Sequence, residues 1–168
     1  MRILILFILA VTSFSLTACG GGGGGGGGSV VPTKATLKIN LSGTLPAAMA
    51  GVGMTITLPA NVTPELDSGA VAATVVSPSG TYAGATATTP VYTAAVGTTP
   101  ATLQLALANA ETAGVTQVGE VATVTLQLAN GAQPGTSSFT VSNVSVIDTL
   151  GNSNSTAMSA VVASMMLQ

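Results

Sequence analysis

Gly119-Glu120-Val121-Ala122-Thr123-Val124-Thr125-Leu126-Gln127-Leu128 alternates apolar and polar side chains from Ala122 to its end, and this alternation decides the fold class. Successive side chains of a β-strand point to opposite faces. Ala122, Val124, Leu126 and Leu128 therefore share one face and Thr123, Thr125 and Gln127 the other, as a half-buried strand requires. The same period recurs upstream. Leu103, Leu105 and Leu107 alternate with Thr102, Gln104 and Ala106; Val52, Met54, Ile56 and Leu58 with Gly53, Thr55 and Thr57; Leu37, Ile39 and Leu41 with Lys38 and Asn40. Weaker runs of similar length lie at Val71–Val76, Val91–Val96 and Ala157–Ala163. Between Phe139 and Ile147 the apolar positions change parity, from Phe139 and Val141 to Val144 and Val146. One extra residue at Ser142-Asn143 explains the change, so a β-bulge is expected there.

Gly, Pro and Asn punctuate the runs at Thr44–Pro46, Pro59–Pro64, Ser77–Gly80, Asn130–Gly135 and Asp148–Asn154, which read as turns. About eight short strands at fairly even spacing imply an antiparallel sandwich or barrel, since each strand must bury one face. Ala108–Gly119 has room for one helical turn. The loop from Ser77 to Pro90, built of small polar residues, is expected to be mobile or shaped by a partner.

Composition sets limits on function. The chain has 168 residues, 47% of them hydrophobic and 5% charged, with a formal net charge of -2. That hydrophobic content supports one folded domain, and the scarcity of Lys and Arg argues against nucleic acid as a partner. With one Cys and no His, the chain can make no internal disulfide and no Cys/His zinc site. No cofactor is expected.

The N-terminus reads as an export signal: Arg2, an apolar run from Ile3 to Val11, then Leu16-Thr17-Ala18-Cys19. The run is shorter than the ~20 residues that a membrane-spanning helix needs. Leu16-Thr17-Ala18-Cys19 resembles the bacterial lipobox, which implies removal of residues 1–18 as a signal peptide and attachment of acyl chains, palmitate among them, to Cys19. Several chains on one Cys would anchor the protein stably to a membrane. Gly20, rather than Asp, after the Cys implies transport to the outer membrane in a diderm host. Gly20–Gly28 is an unbroken glycine tract, too costly in backbone entropy to order, so residues 19–34 read as lipidated Cys and tether. Residues 35–168 read as the domain.

Within that domain, Gly119-Glu120-Val121-Ala122-Thr123-Val124-Thr125-Leu126 resembles a strand of cohesin domains, the receptors that hold dockerin-bearing enzymes. Phe139–Asn152, with Val144-Ser145-Val146 running into Asp148-Thr149-Leu150-Gly151-Asn152, is similar to the late cohesin strand and its turn. The layout from Thr36 to Ser164 also resembles the wider cohesin and carbohydrate-binding-module superfamily. The resemblance implies an all-β, antiparallel jelly-roll β-sandwich of about eight or nine strands that binds on one sheet face and catalyses nothing. It transfers no binding residues. The first strand reads Leu37-Lys38-Ile39-Asn40, and no Tyr-Asp-Pro segment follows the second, both departures from many cohesins.

Candidate chemistry is sparse. Glu65 and Asp67 are the one close carboxylate pair, yet they sit in the turn-like Thr63–Gly69, where acidic side chains commonly solvate a loop. Asp148, Asn152 and Asn154 carry oxygens suited to calcium, but a β-turn accounts for the same residues. Ser-His and Cys-His arrangements are excluded by composition, so no enzyme is expected. Tyr82 and Tyr92 flank the long loop and are the candidate contacts for a stacked sugar, with cover for the edge of the core as the alternative. The functional expectations are a membrane-anchored module binding a dockerin-like protein, a polysaccharide-binding module, or a structural envelope protein that associates through exposed strand edges.

Overall fold

In the computed structural model, which describes residues 31–45, 47–154 and 158–168, four of the six longest strands are those whose alternation is clearest in the sequence, and the other two fall on the parity-changing run at Phe139–Ile147 and the weaker run at Ala157–Ala163. They are β1 (Lys34–Gly43), β2 (Met49–Leu58), β9 (Ala101–Ala108), β10 (Gly119–Leu128), β11 (Thr140–Asp148) and β12 (Met158–Leu167). Six short strands complete the twelve found among the described residues: β3 (Val62–Pro64), β4 (Leu66–Asp67), β5 (Ala70–Val71), β6 (Val76–Pro78), β7 (Thr86–Ala87) and β8 (Val91–Thr93). Two single turns of 3-10 helix lie at Gly80–Tyr82 and Thr136–Ser138.

The strands form two antiparallel five-stranded sheets packed as a sandwich. Sheet A runs β12-β1-β10, with β3 and β6 both along the far edge of β10. Sheet B runs β11-β2-β9, with β7 and β8 both along the far edge of β9. Early strands pair with late ones in nested order: β1 with β12, β2 with β11, β3 with β10 and β8 with β9. Successive pairs fall in alternate sheets. A hairpin wound this way is a jelly roll. Counted by position there are eight strands; the others are short companions along β9 and β10, plus the β4–β5 hairpin.

The core is the inward set of both sheets. Leu37, Ile39 and Leu41 of β1, with Val124 and Leu126 of β10, meet Val52, Met54, Ile56 and Leu58 of β2 and Leu103, Leu105 and Leu107 of β9. Each such side chain contributes about 1.5–3 kcal/mol by leaving water. Four register shifts adjust the alternation, one of them at the end of β11, where Ile147 pairs with Gly51 and Asp148 with Met49 so that Ala50 is extra. Ile39 pairs with Ala122 and Asn40 with Glu120, so Val121 is extra, and Val121 and Ala122 are both buried. Lys38 pairs with Ser164 and Ile39 with Val162, which leaves Ala163 extra in β12. Ser142 pairs with Thr55 and Ser145 with Gly53, which places another bulge at Asn143-Val144, next to the position read from the parity change. Asn143 takes the left-handed conformation the bulge needs, at φ 51°.

Several weaker readings need correction. Val71–Val76 is not one strand: Val71 ends β5 and Val76 opens β6, with a turn at Ala73-Thr74 between them. Strand structure from Val91 stops at Thr93, whereas the last strand runs on to Leu167. Ala108–Gly119 holds a turn closed by Gly114 N–H donating to Glu111 C=O at 2.9 Å, and no helix. The Ser77–Pro90 loop is organised by its own chain through the end of β6, a 3-10 turn and β7.

Candidate functional site on the outer face of sheet B

Tyr82 is a core residue. The 3-10 turn at Gly80–Tyr82 swings its ring inward to 1% exposure, so it offers no surface for a sugar to stack on. Its hydroxyl has no hydrogen-bond partner among the described residues, and burial pushes its pKa up to about 12. Tyr92 pairs with Leu103 across β8 and β9, which directs its ring to the same inward face, where it packs against the core. The stacking role expected of Tyr82 is thus corrected, whereas Tyr92 is half-buried, packing on the core and also lining an open depression with Pro59, Asn61 and Thr99.

Glu65 and Asp67 lie on an exposed hairpin rather than in a cleft. Ser68 (φ 52°) and Gly69 (φ 88°) form its two-residue turn, and the left-handed conformation at both marks the type that matches strand twist. The Asp67 carboxylate accepts from Ser68 Oγ at 3.2 Å, and Glu65 Oε2 accepts from Gln127 Nε2 at 3.3 Å.

Asp148 closes its turn. Its Oδ1 accepts from the backbone N–H of Asn152 at 2.8 Å and of Leu150 at 2.9 Å, and its Oδ2 from Asn152 Nδ2 at 3.1 Å and Asn154 Nδ2 at 3.2 Å. The Asn152 backbone N–H, then the other donors, hold its pKa below the usual carboxylate range. Both carboxylate oxygens of Asp148 thus serve the turn, in line with the β-turn reading of Asp148, Asn152 and Asn154. No group of three His, Cys, Asp or Glu able to hold a metal occurs among the described residues. Cys19, the signal segment and the tether up to residue 30 lie outside the described residues, whereas the last tether residues belong to the domain, with Thr33 N–H donating to Gln168 C=O and Lys34 opening β1. No described helix is long and apolar enough to cross a membrane.

The surface least explained by folding alone is the outer face of sheet B. Register places its outward residues in rows: Ile147, Gly51, Ala108 and Thr86; then Ser145, Gly53 and Ala106; then Ser142, Thr55, Gln104 and Val91; then Thr140, Thr57, Thr102 and Thr93. No described charged side chain projects from it. Lys34, Lys38 and Glu120 belong to sheet A, where Lys38 Nζ donates to Glu120 Oε2 at 2.9 Å, and Asp148, in a sheet B strand, is 6% exposed.

Across the second row the face sinks into two contiguous depressions of about 310 Å³ and 270 Å³ that share Gly53, Thr88, Ala106 and Ser145. Missing side chains form the floor. A Cβ at Gly53 would come 2.8 Å from Ser145 Oγ, and one at Gly51 3.3 Å from Leu107 O, so any larger residue fills the trough and presses on its wall. The rim is Ile147 and Val91, 48% and 56% exposed, with Asn143 Nδ2 donating to Thr55 Oγ1 at 3.4 Å. Sequence reading passed over this face because Gly51, Gly53, Ala106 and Ala108 stand out only once register brings two strands together. Compared with known proteins, the chain matches no family model, no curated protein and no solved structure.

Proposed function

We propose that this chain is a non-catalytic, membrane-anchored extracytoplasmic binding module of cohesin-like type, and that the outer face of sheet B receives a protein partner. Lipid on Cys19 holds it at the membrane, the outer one in a diderm host, and the glycine tract spaces the domain from the lipid. The observation that carries the reading is the uncharged, glycine-floored trough on a rigid antiparallel sheet. Such a trough suits an apolar side chain of a partner. Burying one Leu or Ile there is worth about 1.5–3 kcal/mol, and the hydroxyls and amides around it fix orientation. Because no described charge projects from the face, binding depends little on ionic strength.

A capture experiment tests this. The immobilised chain, challenged with exported proteins of its host with calcium and with chelator, is expected to retain one partner near stoichiometrically, with calcium dependence as in dockerins. Ala106→Arg, which fills the trough from a half-buried outward position, is expected to abolish retention while the melting curve is unchanged. Retention by the Arg variant equal to wild type sinks the proposed face. A polysaccharide ligand is the second reading, favoured by the uncharged hydroxyls and amides of Thr55, Gln104, Asn143 and Ser145 around the trough. It has no aromatic platform on this face, since Tyr82 is buried in the core and Tyr92 points to the inward side of β8. Glycan binding that Ala106→Arg removes, without any protein captured, selects this reading.

A further inference from the structure

Strand edges decide what a β-sandwich can join, and the edges of this one differ. On sheet A, β3 and β6 have three residues each and end in Pro64 and Pro78. On sheet B, β7 has two residues, β8 has three and follows Pro90, and β11 is kinked at Asn143. Short length, proline and bulges are the devices that stop edges from adding strands. The edge strand β12 has ten residues, about 33 Å at the usual rise, with no charge, Pro or Gly from Met158 to Leu167.

Its sequence is also its own mirror. Met158-Ser159-Ala160-Val161-Val162-Ala163-Ser164-Met165 reads the same in both directions. In a regular strand such a palindrome cannot pair with itself across a twofold axis, because mirror-related positions differ by an odd number and face opposite sides. The bulge at Ala163 removes that obstacle by taking one residue out of the count. Met158 and Met165 then both face inward, and Ser159 and Ser164 both face outward, paired with Ser42 and Lys38 of β1. Val161 falls on the axis, and it is 53% exposed. The middle of this edge borders an open cleft of about 350 Å³, whose other wall is the 3-10 turn at Thr136–Ser138 and the start of β11.

We propose that β12 pairs antiparallel with β12 of a second copy of this chain, about a twofold axis at Val161, joining two A sheets into one continuous sheet. Across the axis Val161 lies opposite its own copy, Ser159 opposite Ser164 and Met158 opposite Met165, with Ala160 facing the Val162-Ala163 bulge. The outer face of sheet B stays free, so the pairing is independent of partner binding.

Engineered cysteines in the full chain, whose only native thiol is Cys19, test the register. Under mild oxidation Val161→Cys is expected to give a covalent dimer. Ser159→Cys alone should stay monomeric, because its copies lie four strand positions apart, whereas Ser159→Cys mixed with Ser164→Cys should cross-link. Leu150→Cys, 82% exposed and outside β12, sets the background. Dimer from Val161→Cys no greater than from Leu150→Cys, or Ser159→Cys alone cross-linking as well as the mixture, overturns the proposal. Independently, Val161→Lys sets like charges on the axis and should sediment as a monomer where wild type sediments as a dimer. Equal sedimentation of the two also overturns it.

Discussion

Tyr82 carries a hydroxyl into the core and finds nothing there to bond. A buried donor without a partner pays its desolvation in full, so Tyr82→Phe should leave stability unchanged or raise it by up to about 1 kcal/mol, measured by urea unfolding. Tyr82→Ala should cost about 3–5 kcal/mol through the cavity it leaves. Titration gives a second check. With the folded pKa raised to about 12 from an ordinary 10.0, this group's contribution is fully present below pH 10 and is lost as pH rises toward 12. Tyr82→Phe should therefore flatten part of the alkaline fall in stability. Nearby, Gly80 sits at φ 56° with the Glu120 backbone where a Cβ would go, whereas Gly97, at φ 58°, faces open space. Gly97→Ala should cost about 1–2 kcal/mol, the strain of a left-handed residue, and Gly80→Ala clearly more. Sequence could not reveal the burial of Tyr82. Thr81-Tyr82-Ala83 carries no periodicity, and one 3-10 turn decides where the ring goes.

At the scale of elements, legibility followed length. β1, β2, β9 and β10 show several cycles of alternation, and their faces agree with the pattern read from sequence, whereas the bulged β12 shows no regular alternation and was readable only as a weak run. Strands of two or three residues show no cycle: β3, β6, β7 and β8 exist because a long neighbour offers them an edge, and β4 and β5 because they pair with each other across a tight turn. The bulge in β11 was readable because it leaves a trace in parity. Replacing Asn143 by Val, a β-branched residue poorly suited to φ 51°, should cost at least about 1–2 kcal/mol, whereas Asn143→Gly should be nearly neutral in the same thermal melts. The turn after β11 was read correctly as a turn, but not the reason for its acid. Asp148 is held ionised by donors of its own loop, so its contribution is present above the usual carboxylate pKa and lost as pH falls through its depressed value. Asp148→Asn should lower the melting temperature at neutral pH and weaken its fall in acid. A variant melting like wild type from pH 7 to pH 2 would remove the carboxylate from the turn's stability.

Across the whole molecule, stability rests on apolar burial, with charge almost absent. Lys38–Glu120 is exposed, and such pairs are worth about 0–1 kcal/mol. Raising ionic strength from about 0.01 to 1 M, which shortens screening from about 30 to 3 Å, should change unfolding free energy by less than about 1 kcal/mol. The sandwich architecture was legible because every long strand has one apolar face to hide. The jelly-roll winding was expected only from the family resemblance, since no single strand records its partner. The trough on the outer face of sheet B was not legible, since its floor is made by what two glycines lack.

The two ends of the jelly roll lie side by side. Thr33 N–H donates to Gln168 C=O at 2.6 Å and Gln168 N–H to Lys34 C=O at 2.9 Å, where β1 begins and β12 finishes. Tension between the two ends would peel β12 from β1 one bond at a time, the weakest way to load a sheet. Tension entering at residue 31 and leaving through sheet B would instead drag β1 lengthwise between β10 and β12, so that many bonds resist together. Held by its N-terminal side and pulled by its face, the domain is loaded in its strong direction.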